Sequence, residues 1–448
     1  MLRKRQLLSF SLSLLATLSS LSLLKAQQTT EADNQFTISA QLRPRLEIRD
    51  GAFRPLLPHE NTAALISERI RLSLNYQYKN QLEISISPQT VGIWGQANMV
   101  QGAENSGNRL SLFEAWSKLN LSSRWNIKLG RQVISLDNER FFGELDWAQG
   151  GRAHDALSVQ YRHNKTDLRG YFAYNQNYKT LYGNNLNNPS GNVYSTADAL
   201  SYKWMQTLWL GLQLNKQSKL SLLATNLGLQ NATAPKDTAI HFTHTVGANF
   251  SHQGNKLSAN LAAYYQCGKN ISGIKTSAVL VAGYIGTQLN KQWQLGLGTD
   301  VLTGNDLGVT QTKNKAFNPY FHTGHKFYGS MDYFYAGNGH QNVGLSDTYL
   351  SVGFKSINGL AISVTAHQFF TPNAVKSDFY SYHRDLGQEI DVMLSFKINK
   401  FSSLSGGYSS YFTTPTLKFL KTTLTAKPYQ QWAWVSINVN PTLLRSKF

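Results

Sequence analysis

Cysteine, acidic residues and long apolar runs are what this sequence has least of. A single cysteine, Cys267, among 448 residues excludes an intramolecular disulfide and any cysteine-built zinc site. Only 15% of residues are charged, and 43 lysines and arginines face 25 aspartates and glutamates, a formal charge of +18. That excess calls for an acidic partner or a solvated basic surface. Beyond residue 26 there is no apolar run of about 18 residues, so a helical membrane protein is excluded. With 41% hydrophobic and 12% aromatic residues, disorder is excluded too. No G-x-S-x-G, H-E-x-x-H, P-loop or C-x-x-C pattern occurs. No reading-head helix or RNA-binding signature accompanies the positive charge, so no nucleic-acid partner is expected.

Residues 1–26 combine a basic start (Arg3, Lys4, Arg5), a Leu/Ser-rich stretch from Leu7 to Leu24 and a small residue, Ala26. They read as a cleaved signal peptide rather than a membrane anchor helix, because serines thin the apolar stretch and polar residues follow. The expected organisation is a signal peptide over 1–26 and one exported domain over 27–448.

That domain alternates apolar and polar residues from end to end, the period of a strand. Phe36, Ile38, Ala40, Leu42, Leu46 and Ile48 share one face; Thr37, Ser39, Gln41, Arg43, Arg45, Glu47 and Arg49 share the other. The pattern predicts strands over 36–49, 65–78, 81–91, 110–121, 125–133, 156–162, 167–175, 200–215 and 219–228. It predicts nine more over 241–250, 256–266, 277–289, 292–302, 345–355, 360–369, 388–398, 402–411 and 430–439. Each is near the roughly 10 residues that a tilted strand needs to cross a bilayer.

Connections alternate strictly. Lys79–Asn80, His163–Thr166, Asn290–Lys291, Ser356–Gly359 and Asn399–Phe401 are tight links, and long connections separate them, so all short links lie at one end. The fold class expected is all-β: a single antiparallel transmembrane β-barrel of about 18 strands, with short periplasmic turns and long extracellular loops. Tyr76, Tyr78, Trp125, Tyr161 and Trp293 flank the short turns, as an interfacial aromatic girdle would. A soluble sandwich needs no such alternation, whereas lipid forces ring closure because no strand edge can stay unpaired there. Phe448 suits an assembly signal, but Pro441 and Arg445 interrupt the alternating end.

The polar face then looks into a bore. Arg43, Arg45 and Arg49 on the first strand and Arg69 and Arg71 on the second form a guanidinium cluster, with Lys128 projecting the same way from the fifth. Such a ladder grips carboxylates and attracts anions. Glu47, Glu389 and Asp391 share that face and are expected to pair with some of the arginines. The alternative is a structural ion-pair network that only fills the interior. Between Gly130 and Leu157 the sequence packs Arg131, Asp137, Glu139, Arg140, Glu144, Asp146, Arg152 and Asp155 beside Phe141, Phe142 and Trp147. Balanced charge with three aromatics suggests a loop folded inward, against the alternative of a solvated extracellular loop. The connection 303–344, rich in Tyr and Phe, is a candidate gate through His325, Lys326, Phe327 and Tyr328; the alternative is unparsed strand material. His322, His325 and His340 are spaced irregularly, and no metal site is expected.

Gly130-Arg131-Gln132, Glu139-Arg140, Asp146-Trp147 and Gly151-Arg152 with Asp155 resemble the alginate-export family of outer-membrane barrels. So do Leu42-Arg43-Pro44-Arg45-Leu46-Glu47, Asn318-Pro319 and His325-Lys326-Phe327-Tyr328-Gly329. The resemblance implies an 18-stranded barrel conducting an anionic uronate polysaccharide, with Arg43, Arg45, Arg131, Arg140 and Arg152 touching substrate. Periodicity alone puts Arg131 on the lipid-side face.

The function expected is a passive outer-membrane channel for anionic polysaccharide or other anionic solutes. The alternatives are a general or anion-selective porin for small-solute uptake, and, from other classes, an outer-membrane hydrolase or an adhesin. Expected partners are outer-membrane lipids and lipopolysaccharide, the permeating anion and the barrel-assembly machinery. A monomer without cofactor is expected.

Overall fold

The computed structural model describes residues 33–95, 110–175, 202–230, 239–336 and 339–448; the signal-peptide expectation lies outside them. The first nine strands are β1 (Asn34–Arg49), β2 (Ala63–Tyr78), β3 (Leu82–Ile93), β4 (Leu110–Asn120), β5 (Trp125–Gln132), β6 (His154–His163), β7 (Thr166–Tyr174), β8 (Trp204–Gln213) and β9 (Ser218–Gln230). There follow β10 (Ile240–Gln253), β11 (Leu257–Lys269), β12 (Lys275–Gln288), β13 (Trp293–Leu302), β14 (Leu345–Lys355), β15 (Leu360–Phe370), β16 (Asp385–Lys397) and β17 (Ser402–Thr413). The last stave, β18, runs over Tyr429–Val439 and resumes as Thr442–Lys447. Every stave pairs antiparallel with its sequence neighbour, and β18 returns to β1 from Arg49↔Trp432 down to Gln35↔Lys447. This is a closed 18-strand barrel.

Closure answers the lack of water in a bilayer, because every strand finds two partners and the ring has no open edge. The outward positions are the apolar half of the period: Leu42, Leu46, Ile48, Leu208, Leu261, Val281, Ile285 and Leu297 are all exposed to the surroundings. At the short-turn end Trp125 packs on Tyr161 and Trp293 on Phe354, each with ring centroids 4.8 Å apart.

The terminal stave reaches further than its periodicity predicts. Pro441 has no N–H to offer, so the ladder breaks there and the register against β1 shifts between Ile38 and Ser39. Pairing then resumes, and the Phe448 and Asn34 backbones exchange two hydrogen bonds of 3.0 Å. Removing residues 442–448 therefore strips a partner from Gln35–Ser39 and leaves an edge in lipid. The expected outcome is loss of the compact, heat-modifiable band on unheated gels.

Another proline re-aims a side chain at the interior. The β3–β4 register shifts at Ser87/Pro88, which turns Phe113 from the lipid face to a buried position under Arg71, its guanidinium 3.4 Å from the ring centroid. The interior is not polar throughout. In the half nearest the long loops, inward positions of β6–β13 include Tyr171, Met205, Trp209, Leu223, Leu227, Leu280 and Leu302. They bury Ile134, Phe141, Phe142, Phe317 and Phe321 of two inward-folded connections.

Candidate functional site

Those two connections, 133–153 and 303–344, meet across the bore. The first is fastened at both walls. On one side Arg43 Nη1 donates to Asp146 Oδ2 (2.9 Å) and Arg69 Nη2 to Asp146 Oδ1 (2.7 Å). These arginines face each other in the β1–β2 register, so one carboxylate bridges two guanidiniums. On the opposite wall Arg140 makes a two-pronged pair with Asp300 of β13, at 3.0 and 2.7 Å. Six positions apart in the chain, Arg140 and Asp146 make the connection a bar.

The two fastenings differ in character. Arg140 and Asp300 are 5% and 1% exposed, a pair sealed from water, whereas the Asp146 side chain is 51% exposed above a buried Arg69 and a mostly covered Arg43. Burial raises the Asp146 carboxyl, but Arg43, Arg69 and Arg71 outweigh it and hold the group below the usual carboxylate range. Next to it, Trp147 is sandwiched: the Arg45 guanidinium lies 3.8 Å from the ring centroid on one side, and the His325 ring stacks at 3.8 Å, tilted 14°, on the other. Trp432 and Trp434 of β18 close the cluster edge-on.

The second connection rests on the acidic part of the wall. Met331 N–H donates to Glu389 Oε1 (2.7 Å) and Ser330 N–H to Asp391 Oδ2 (3.3 Å). Gly329 makes this approach possible: its φ is +82°, and a Cβ there would sit 2.3 Å from Glu389 Oε2. Burial first, then the Arg152 charge, pushes His322 down to about 3, and burial with Lys421 does the same to His340. Beneath Arg140 and Tyr328 a cavity of about 690 Å³ opens toward the short turns, lined by Tyr284, Tyr349, His367 and Lys326 among others.

Each residue singled out from sequence has a definite place. Arg43, Arg45, Arg49, Arg69, Arg71 and Lys128 sit on the inner wall. Arg45 pairs with Glu47 (2.9 Å), Arg49 donates to Met331 O (3.3 Å), Arg71 donates twice to Gln89 Oε1, and Lys128 lies over Trp116. Arg152 Nη1 donates to His322 O (2.8 Å), tying the two connections together. Phe327 lies under Arg140, Tyr328 is buried, and Lys326 reaches Glu139 at 3.4 Å.

Two expectations are corrected. Arg131 and Asp155 do not line the bore; they pair with each other at 2.8 Å on the outer face, in line with Leu129. Strand parity decides this, as the period implied. Glu389 and Asp391 do not pair with arginines: backbone N–H groups of 330–331, Ser409 and His367 occupy them instead. Asp300 and Asp347 were missed. Each is the one acid of its strand, on the inward face, and that isolation was the available signal.

A family model described as alginate export matches residues 34–418. The chain belongs to the alginate-export family. No curated protein sequence matches it. Among solved structures, Acinetobacter baumannii OccAB1 superposes with a TM-score of 0.61 at 10% identity, covering 94% of this chain and 100% of that one. Pseudomonas aeruginosa OccK11 (OpdR) gives 0.57 at 12% identity, covering 94% and 100%. Pseudomonas aeruginosa OpdK, solved with vanillate, gives 0.57 at 11%, covering 90% and 98%. At such identities these likenesses speak for the fold. This alginate-export family member is an outer-membrane β-barrel channel.

Proposed function

We propose that the channel passively conducts anionic solutes, an anionic polysaccharide foremost, with selectivity set by the guanidinium wall of β1 and β2. The carrying observation is that five arginines of two adjacent staves, Arg43, Arg45, Arg49, Arg69 and Arg71, share the inward face of the barrel wall. A guanidinium stays ionised at any physiological pH, so the wall presents a fixed positive potential to a carboxylate-bearing chain. Membership of a family described as alginate export supports the polymeric reading. Diffusion needs no energy source in this reading, and the barrel acts as a monomer inserted by the barrel-assembly machinery.

Small-anion uptake is the second reading. It is favoured by the two connections crossing the bore, and by likeness to a barrel solved with vanillate, an aromatic carboxylate.

Arg43, Arg45 and Arg69 also hold the bar, so replacing them mixes selectivity with loop release. Arg71 and Lys128 are cleaner, because among the described residues neither has a carboxylate within ion-pair distance. For Arg71→Gln with Lys128→Gln the reversal potential in a potassium chloride gradient should move toward zero while insertion and conductance persist. An unchanged potential, or cation preference in the parent protein, would sink the reading. Tetragalacturonate passing at rates comparable to small carboxylates would favour export of polymer; exclusion of it would favour uptake.

A further inference from the structure

The two ends of the bar suggest different jobs. At Arg140–Asp300 water is excluded, and separating the partners would strand a charge in the interior. At Asp146 the carboxylate is half exposed to the bore, and an incoming carboxylate can take its place without leaving the covered guanidiniums of Arg43 and Arg69 unpaired. The guanidiniums do not depend on that carboxylate for their position. Arg43 also donates from Nη2 to Asp146 O (2.7 Å), from Nε to Gln149 Oε1 (3.1 Å), and Arg69 Nη1 donates to Gln149 O (3.4 Å). If only the Asp146 side chain turns away, a preformed two-arginine fork remains, opened where the half-exposed carboxylate had covered it, with Arg71 adding a third cation close enough to act on whatever sits there.

We propose that Arg43 and Arg69 form a carboxylate-binding subsite whose resident occupant is the protein's own Asp146, and that a permeating uronate or other carboxylate displaces it. The subsite rests on the anion-conducting reading and adds to it a docking point with a built-in competitor. The competitor has a use: a fork with nothing to displace would hold a polyanion too tightly to release it, and conduction needs sites that are weak enough to leave. It also explains why the bar is sealed at one end and wet at the other. Displacement moves only the Asp146 side chain, while the Asp146 and Gln149 contacts to Arg43 and Arg69 and the Arg140–Asp300 pair keep the loop in the bore.

The test is current block by tetragalacturonate in planar bilayers, with neutral maltotetraose as the width control. Asp146→Asn is close to isosteric at an exposed position, so insertion should be normal, and Asp146→Glu should restore parent behaviour. In Asp146→Asn the tetragalacturonate concentration that halves the current should fall about threefold, the scale of one exposed charge pair, with maltotetraose unaffected. Arg43→Gln with Arg69→Gln should raise it about tenfold. The subsite is refuted if Asp146→Asn leaves block by tetragalacturonate unchanged, or shifts both sugars alike, which would report bore width. A parent channel that is anion-selective but shows either result loses the subsite and keeps the function. A parent channel that is not anion-selective loses the function itself.

Discussion

Replacing residues 305–342 by a short flexible linker should raise single-channel conductance several-fold and abolish most discrimination between tetragalacturonate and small anions. The connection is no solvated loop: Phe317, Tyr328, Met331, Tyr333 and Phe334 are buried in the barrel, stacked on inward side chains such as Phe369 and Tyr411. Current is carried only where water is continuous, so deleting this apolar mass widens the narrowest cross-section. The staves themselves should stand, because their ladder closes without the connection. Heat-modifiable mobility is the check on folding, and conductance on the effect. Conductance equal to the parent's would mean that ions already bypass this mass, and the candidate gate over His325, Lys326, Phe327 and Tyr328 would then be a lining. The acidic wall would be laid bare as well, since Glu389 and Asp391 lose the Met331 and Ser330 N–H donors. Anion preference should therefore drop even though no arginine has been touched.

How much of this is legible in the sequence follows from where the forcing physics acts. Lipid imposes one rule on every stave, apolar outward and polar inward with a period of two, and so strands such as 345–355 are readable to the residue. The rule fails where lipid is not the neighbour. Along β8 and β9, Leu208 and Leu222 face outward while Trp209 and Leu223 are buried inward against the folded connections, so both faces are apolar and alternation blurs. The terminal Thr442–Lys447 strand hides behind Pro441, whose missing N–H forces a register shift that no fixed period can follow. Contacts inside the bore are harder still. That Asp146 would bridge Arg43 and Arg69, some 103 and 77 positions away, depends on the path of the bar and not on any local pattern. Charge balance within 130–157 shows that the loop has partners, but does not say which wall supplies them. Arg131 teaches the converse, since its motif pointed to the bore while its strand parity pointed outward, and the parity prevailed because one residue of register flips a side chain to the other face.

The buried fastening gives the second large effect. Arg140→Ala leaves Asp300 charged and 1% exposed in the wall, and Asp300→Ala leaves Arg140 equally stranded. Losing one member of such a pair typically costs about 3–5 kcal/mol, most of it the penalty for the orphaned charge. The free energy opposes only the seating of the bar, not the ladder, so the expected result is a barrel that still inserts while residues 133–153 come loose. Its readouts are noisy, flickering current and faster protease cleavage near Asn138 in detergent. Arg140→Met combined with Asp300→Leu separates the two contributions. With no charge left to solvate and the methylene volume retained beside Phe327 and Tyr349, the bar should seat again and the current should quieten. Single variants as quiet as the parent would mean that Phe141, Phe142 and the Trp147 sandwich hold the bar by themselves. A double variant as noisy as the singles would mean that the geometry of the ion pair, rather than the absence of stranded charge, positions it.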